Sequence, residues 1–508
     1  MKKLTRIFTL TVALLLLSTF FSAFAIDDGF YSVYTYNYDY WEEIRESPDA
    51  YKVKTVLYGS TLGLDKNFSN PEGLFVRGHD IYVCDTGNNR IVHIQEVGGE
   101  YQLAENNPII ETLNGCTPAT LNAPTDCAVD AEDNLYIADK RNNRVVMVDK
   151  DLNFIKEFVR PDDTSFDAGS FNPLKIVVDV AGRVYVLAEN VNKGLIKYEE
   201  DTSFTGYIGA NKVTMSMFEY IWKYFFLSEA QRSTTEATVP TRYENIYMDE
   251  DGFIYATTTN FEEYDLKWDN AKPIRRLNGI GDDILIKDDR YPPIGDYTWV
   301  EGGDGSHGPS KFVDITVLEN DIYVAFDKTR GRLFGYDSQG VMLWAFGETG
   351  AYEGAFNAPI ALDHEGRDLF CLDQRDMSIT VFTPTEYGNL IYDANAAYAK
   401  GDYDGSGELW NEVLKFNANY NMAYRGIGRA LLRQGKYTEA MEYFKMAHDR
   451  PNYGRAFRLY RKEWVEKNVG WIIGILIALV VVFVGKQIVK KMKMEVAAYE
   501  RDHVIKQA

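Results

Sequence analysis

Residues 121–148 read LNAPTDCAVD, then AEDN, LYIAD, KRNN and RVVMV. Each apolar run is four to six residues long, rich in Val, Ile and Tyr, and bounded by Asp, Asn or Pro. Runs of that length and composition predict short β-strands joined by tight turns and argue against a helix. The unit recurs at 70–94 (NPEGLFV, IYVCDTGNNRI) and at 171–198 (FNPLKIVVD, RVYVLAE), and weaker copies begin near Tyr243, Phe312 and Asn357. Aligned on the end of the first strand, the copies place Arg77, Asp130, Asp179, Asp249, Leu318 and Asp363 in one register. Their spacing is about 50 residues, stretched to about 70 at two insertions, a period that predicts a propeller with one blade per copy.

The fold expected is mainly β, a six-bladed propeller over 51–385 with insertions near 211–240 and 261–309. The last copy lacks a fourth strand, whereas 203–208 and 341–346 supply one to earlier blades. The run YKVKTVLY at 51–58 is therefore expected to complete the last blade and leave no open sheet edge. Before it, 26–50 is an aromatic-rich leader (YTYNYDYW), expected to lie as an arm on the first blade. The second insertion, rich in Asp, Gly and Pro, is expected to be a long loop. The first carries Met217, Tyr220, Ile221, Tyr224 and Phe225 at helical spacing, a face for packing over the propeller or for a lid.

Residues 1–25 combine Lys2, Lys3 and Arg6 with an apolar stretch and an AFA cleavage site, the pattern of a secretory signal peptide. A second apolar run at 468–485 is followed by Lys486, Lys490, Lys491 and Lys493, which predicts a transmembrane helix with a basic cytoplasmic tail at 486–508. The bulk of the chain is thus expected outside the cell membrane. Net charge is −21 although both ends are basic. So acidic a body argues against nucleic acid as partner and is compatible with cationic ligands or plain solubility. Cys84, Cys116, Cys127 and Cys371 form no metal-binding spacing; Cys116 or Cys84 could bridge to Cys127, and spacing alone decides neither.

The units at 70–94 and 121–148 resemble NHL repeats, which build six-bladed propellers. The leader, the insertion and the tail are similar to those of bacterial membrane-anchored, gluconolactonase-like NHL proteins. That resemblance implies a link to sugar-uptake transporters and, from related lactonase-like propellers, a central divalent metal held by Glu, Asn and Asp. The start of the innermost strand holds Gly73, Asp126, Lys175, Asn245, Asp314 and Pro359, with Glu72 and Glu244 one residue earlier. Glu72, Asp126, Glu244, Asn245 and Asp314 are the candidate ligands for Ca2+, which takes six to eight oxygens. An acidic rim is ordinary on so acidic a chain, and Lys175 would repel a cation. The pairs Asp85 with Arg90, Asp139 with Arg144 and Asp327 with Arg332 recur from blade to blade and are expected to be structural turn pairs. No catalytic set is apparent, and the six histidines form no zinc triad.

After Pro384 the period becomes helical. Gly401 and Gly435, Tyr403 and Tyr437, and Trp410 and Phe444 are each 34 residues apart, the tetratricopeptide period, giving two repeats over 386–452 and a capping helix at 453–467. Arg425, Arg429 and Arg433 share a helix face and are candidates for holding an acidic peptide, against the plainer reading of a solvated face. The function expected is that of a membrane-tethered extracytoplasmic binding or scaffold protein. A divalent-metal-dependent lactonase or lyase on the propeller is the alternative, and a cell-envelope carbohydrate-binding module the second.

Overall fold

The computed structural model describes residues 34–507 apart from 42, 167–168, 210–241, 263–264, 267–270, 289–291 and 297–307. The expected signal peptide and the helical stretch at 213–232 lie outside the described residues. The chain divides into two compact units, Met1–Ala396 and Ala397–Ala508.

The first unit is built from six antiparallel sheets. Blade 1 is Gly73–Arg77, Asp80–Asp85, Arg90–Val97 and Glu100–Leu103; blade 2 is Pro124–Val129, Leu135–Asp139, Arg144–Val148 and Phe154–Val159. Blade 3 is Pro173–Val178, Val184–Ala188, Leu195–Tyr198 and Phe204–Ile208, and blade 4 is Ile246–Met248, Ile254–Thr257 and Ile274–Leu277. Blade 5 is Phe312–Leu318, Ile322–Asp327, Arg332–Tyr336 and Met342–Phe346. Blade 6 joins Pro359–Glu365, Asp368–Asp373 and Ser378–Pro384 to the N-terminal strand Tyr51–Tyr58. The first strands of successive blades touch in a closed cycle, from blade 1 round to blade 6 and back. This is a six-bladed propeller.

Closure follows the expectation from sequence. Ser378 pairs with Tyr58 and Pro384 with Tyr51, so one blade holds both ends of the repeat array. Adjacent blades meet face to face, and their apolar side chains form clusters between the sheets. One such cluster joins Tyr136, Val145 and Phe158 of blade 2 to Val184, Val186 and Ile196 of blade 3. Because both faces of a middle strand are covered, Leu135–Asp139 and Arg144–Val148 are buried at every position. Alternation is therefore weakest where burial is deepest.

The DxxNNR turn explains the most regular part of the motif. Asp85 Oδ1 accepts Ser69 N, and Oδ2 accepts both Asn88 Nδ2 and Arg90 Nε at 2.8 Å. Asp139 repeats this with Asn122 N, Asn142 Nδ2 and Arg144 Nε. The second Asn of each motif, Asn89 or Asn143, takes the left-handed backbone (φ 56° and 57°) that Asn tolerates better than most residues. Asn89 Oδ1 also accepts Ala123 N of the next blade. The side chains spaced along the motif thus satisfy one turn and one neighbouring backbone.

Several expectations are corrected. The leader strand Thr35–Tyr38 pairs with Met342–Phe346 of blade 5 and with Ile44–Glu46, so it extends blade 5 and does not lie on blade 1. The second insertion contains the third strand of blade 4, Ile274–Leu277. In blade 6, Ala361 pairs with Leu372 as Asp126 pairs with Ala138, so Ala361, two residues beyond Pro359, shares the register of Asp126. All four cysteines are buried free thiols.

Five helices follow: α1 (Glu386–Lys400), α2 (Tyr403–Phe416), α3 (Asn421–Arg433), α4 (Tyr437–Met446) and α5 (Arg450–Gln507). Residues of α1 up to 396 belong to the first unit, where Tyr392 bonds Tyr51 hydroxyl to hydroxyl at 2.6 Å and Arg367 reaches Asn389 and Asp393. In the second unit, consecutive helices from α2 to α5 pack on one another. Small residues permit it: a Cβ on Gly428 would meet Phe444 at 2.7 Å, and one on Gly426 would strike Trp410. At about 1.5 Å per residue, α5 is about 87 Å long. It is the one helix among the described residues long and apolar enough to cross a membrane.

Candidate functional site

The ring of first strands encloses a cavity of about 480 Å³. Leu74, Val76, Ile176, Val177 and Leu362 give it aliphatic walls, and Phe75 and Tyr247 aromatic ones. Asp126, Lys175, Asn245, Asp314 and Asp363 supply polar groups within the ring of strands, and Arg77, Asp130, Asp179, Asp249, Glu250 and Asp251 add charged groups toward the turns. It continues to the turns at Ala131, Val180 and Gly252, at the end where the first strands finish. Concave, mainly apolar walls with a few convergent polar groups are the usual anatomy of a small-molecule site.

The carboxylates are placed by the sheet itself. Asp126 Oδ2 accepts Ile176 N of blade 3 at 2.8 Å, Asp314 Oδ2 accepts Leu362 N of blade 6 at 2.7 Å, and Asp363 Oδ2 accepts Val76 N of blade 1 at 2.7 Å. Each thereby ties its own blade to the next. Asn245 accepts Ile246 N at its Oδ1 at 2.7 Å. Lys175, from blade 3, crosses the channel to donate to Glu72 O of blade 1 at 3.0 Å, with its Nζ 3.8 Å from Asp126 Oδ1.

Burial dominates the electrostatics here. It raises the Asp126 pKa to about 6 and that of Asp314 to about 7, against the lowering effect of Lys175 and of the backbone N–H groups. Burial also works against the Lys175 ammonium, but Asp126 and Asp314 outweigh it and lift its pKa above the ordinary lysine value. The centre of the channel thus holds a built-in cation between two carboxyls that are easily protonated.

The five candidate metal ligands are only partly brought together. Asp126, Asn245 and Asp314 share the cavity, whereas Glu72 and Glu244 are not among its walls. Glu72 accepts Asn70 Nδ2 and Glu244 accepts Thr259 Oγ1, both at 2.9 Å. Among the described residues no group of three or more His, Cys, Asp or Glu side chains is placed to hold a metal ion. The donor set does not fit the calcium that the resemblance implies, because the Lys175 ammonium stands beside the carboxylates a cation would need.

Of the three turn pairs, Asp85 with Arg90 and Asp139 with Arg144 form direct ion pairs at 2.8 and 3.0 Å. The third does not. Asp327 is filled by Ser310 Oγ, Lys311 N and Thr329 N, and Arg332 turns to Asp296 at 2.5 Å. Asp296 also accepts the hydroxyls of Tyr36 and Tyr38 from the leader, at 2.6 and 2.5 Å. In the second unit, Arg425 pairs with Asp449 at 2.8 Å, the Arg429 guanidinium lies 4.7 Å from the centroid of the Tyr398 ring, and Arg433 Nε donates to the Tyr398 hydroxyl at 3.2 Å. The three arginines are engaged on a shared surface and not presented as equal cations. Asp363 and Tyr247 were absent from the sequence-based candidates. The Asn-Ala-Pro shared by 122–124 and 357–359 is the signal that sets Ala361 level with Asp126 and Asp363 level with Ala128, two residues short of the register of Asp130.

No family model and no curated relative matches the chain. Among solved structures it is similar to virginiamycin B lyase from Staphylococcus aureus, at 13% identity over 66% of this chain and 99% of that one, with a TM-score of 0.38. It is also similar to a protein of unknown function from Bacteroides thetaiotaomicron (12% identity, 67% and 73% covered, TM-score 0.39). A third is hydrazine synthase from Kuenenia stuttgartiensis (9% identity, 62% and 84% covered, TM-score 0.36).

Proposed function

We propose that the chain is a membrane-tethered, extracytoplasmic binding protein. In this reading an NHL-type propeller presents the channel cavity to ligand, two tetratricopeptide repeats offer a second surface to a protein partner such as a transporter component, and α5 anchors both. The observation that carries it is the uncovered apolar surface of α5. Ile475, Leu476, Ile477, Leu479 and Val480 are each more than half exposed, and no charged residue interrupts 468–485. A patch of that size left to water would drive aggregation, and hydrocarbon is the medium that suits it. Lysines after the run fit a cytoplasmic tail.

The binding reading is favoured over catalysis by the cavity's polar groups. Its carboxylates hold neighbouring backbones, and its single ammonium is committed to Glu72 O. A metal-dependent lactonase has less support, since Lys175 stands where a metal would have to be held.

Alkaline carbonate extraction of membranes tests the tether. The full-length chain should remain in the pellet, and a chain ending at residue 467 should be released. Release of both would refute the anchor.

A further inference from the structure

α5 leaves a face uncovered on its aqueous side as well as along its apolar run. Its Ala456 and Leu459 join a cluster with Ala440 and Phe444 of α4. On another face Tyr453, Phe457 and Trp464 are 40%, 46% and 50% exposed, with the half-buried Tyr460 between them. Those four are spaced 4, 3 and 4 residues apart, the alternation of a coiled-coil seam. Arg455, Arg458 and Lys462 fall outside it. Continued at the same spacing, the seam meets Lys467 and Trp471, then Gly474, Ala478, Val481 and Gly485. Of the four small residues in 468–485 only Gly470 lies off it. Lys467 is its one charged position, and it pairs with Glu463 one turn back.

Lipid accounts for only part of that face. At about 1.5 Å per residue, Phe457 stands about 16 Å before residue 468 and Tyr453 about 22 Å. The headgroup layer is about 5–8 Å deep on each side, and an ordinary tilt barely shortens those heights. Tyr453 and Phe457 therefore stand in water, where a row of exposed rings marks an interaction surface. What covers it must carry an apolar stripe of the same period across the same boundary between water and lipid. A second α5, parallel and in register, meets that condition by symmetry. The area agrees. An aromatic side chain offers about 150–250 Å², so the free parts of Tyr453, Phe457, Trp464 and the more exposed Trp471 come to about 400–500 Å² per copy. Two copies give about 900 Å², and close approach at Gly474, Ala478 and Gly485 carries the contact through the bilayer and past the roughly 1,200 Å² at which stable interfaces begin.

We infer that a second copy of this chain covers the seam, the two α5 helices running parallel from Tyr453 to Gly485 with Phe457, Trp464 and Trp471 against their counterparts. The inference rests on the anchoring of α5 proposed above, which fixes both copies at one depth.

The test is oxidative cysteine cross-linking of the full-length chain in intact membranes, with Phe457→Cys and Trp464→Cys on the seam and Arg458→Cys and Lys462→Cys off it. All four positions are exposed, so folding is not at stake, and the native thiols are buried, so the unsubstituted chain gives the background. The seam variants are expected to yield a product of twice the chain mass about fivefold more than the other two. Adding Gly474→Ile to Trp464→Cys should lower that yield by holding the helices apart. Equal yields at all four positions, no product at any, or a product of another mass overturns the second copy as occupant; with the chain still in the carbonate pellet, the anchor stands and only the seam falls. A chain found in the carbonate supernatant overturns the anchor and the seam with it.

Discussion

Lys175 of blade 3 places its ammonium 3.8 Å from Asp126 of blade 2 and bonds the backbone oxygen of Glu72 in blade 1. One side chain therefore links three consecutive blades at the channel axis. Removing the charge leaves two buried carboxyls without a counterion. Lys175→Met should cost about 3–5 kcal/mol at pH 8, the usual penalty for breaking a buried pair.

The pH dependence follows from the same groups. Asp126 and Asp314 titrate near 6 and 7 in the folded chain, against 3.8 for an ordinary aspartate. Between those values the folded state holds more protons than the unfolded one, so these two groups make stability fall as pH rises from about 4 to about 7. Lys175 behaves oppositely: its folded pKa is raised, so its contribution is complete below the unfolded lysine value and is lost as pH rises through the folded one. Thermal melts of wild type and Lys175→Met at pH 5 and pH 8 check both points. The penalty should shrink at pH 5, where the carboxyls protonate; an equal penalty at both would contradict the assignment.

The leader is clamped at Asp296. Tyr36, Tyr38 and Arg332 all converge on its carboxylate, which is 4% exposed. Its pKa stays below the ordinary value although burial alone would raise it, because Arg332 and Arg330 outweigh burial together with the two hydroxyls. Asp296→Ala strands the Arg332 charge and should destabilise the propeller by about 3–5 kcal/mol. Limited proteolysis should then cut within 34–46 faster than in wild type.

Double-mutant cycles distinguish the repeated pairs. Asp85 with Arg90 and Asp139 with Arg144 should each show coupling of about 1–3 kcal/mol. Asp327 with Arg332 should couple less than Asp296 with Arg332, since the latter pair makes the direct contact. The reverse order would restore the expectation drawn from spacing alone.

That difference marks where sequence reading succeeds. The closing strand Tyr51–Tyr58 was legible because the last copy lacked a fourth strand and an open edge needs a partner. Asp85 and Arg90 were legible because five residues span a single turn. Arg332 was misassigned because its partner sits 36 positions away in an insertion with no repeat to align. Ile274–Leu277 lies in a stretch whose Asp, Gly and Pro content predicts a loop, and the strand keeps its Arg276 by stacking it against Phe253 and pairing it with Asp249. At the channel, oxygen-rich positions were visible, but whether they face a metal or a lysine depends on how blades 1, 2 and 3 meet. Spacing does not encode that meeting.

The helical unit offers a test of close packing. Gly428→Ala would gain about 1 kcal/mol in helix propensity at an open site. Here the added Cβ meets the ring of Phe444, which is fully buried and cannot swing away. The net effect should be destabilising by about 1–3 kcal/mol. The loss of helical circular dichroism on heating measures it.

The most direct test of a membrane-tethered binding protein is mild cross-linking in intact membranes, affinity recovery of the full-length chain and mass spectrometry of what comes with it, with Arg425, Arg429 and Arg433 replaced by Glu in parallel. The account predicts a stoichiometric envelope or transporter protein in the membrane fraction that diminishes when the arginines are replaced. Recovery of the chain alone, from the soluble fraction, would contradict it.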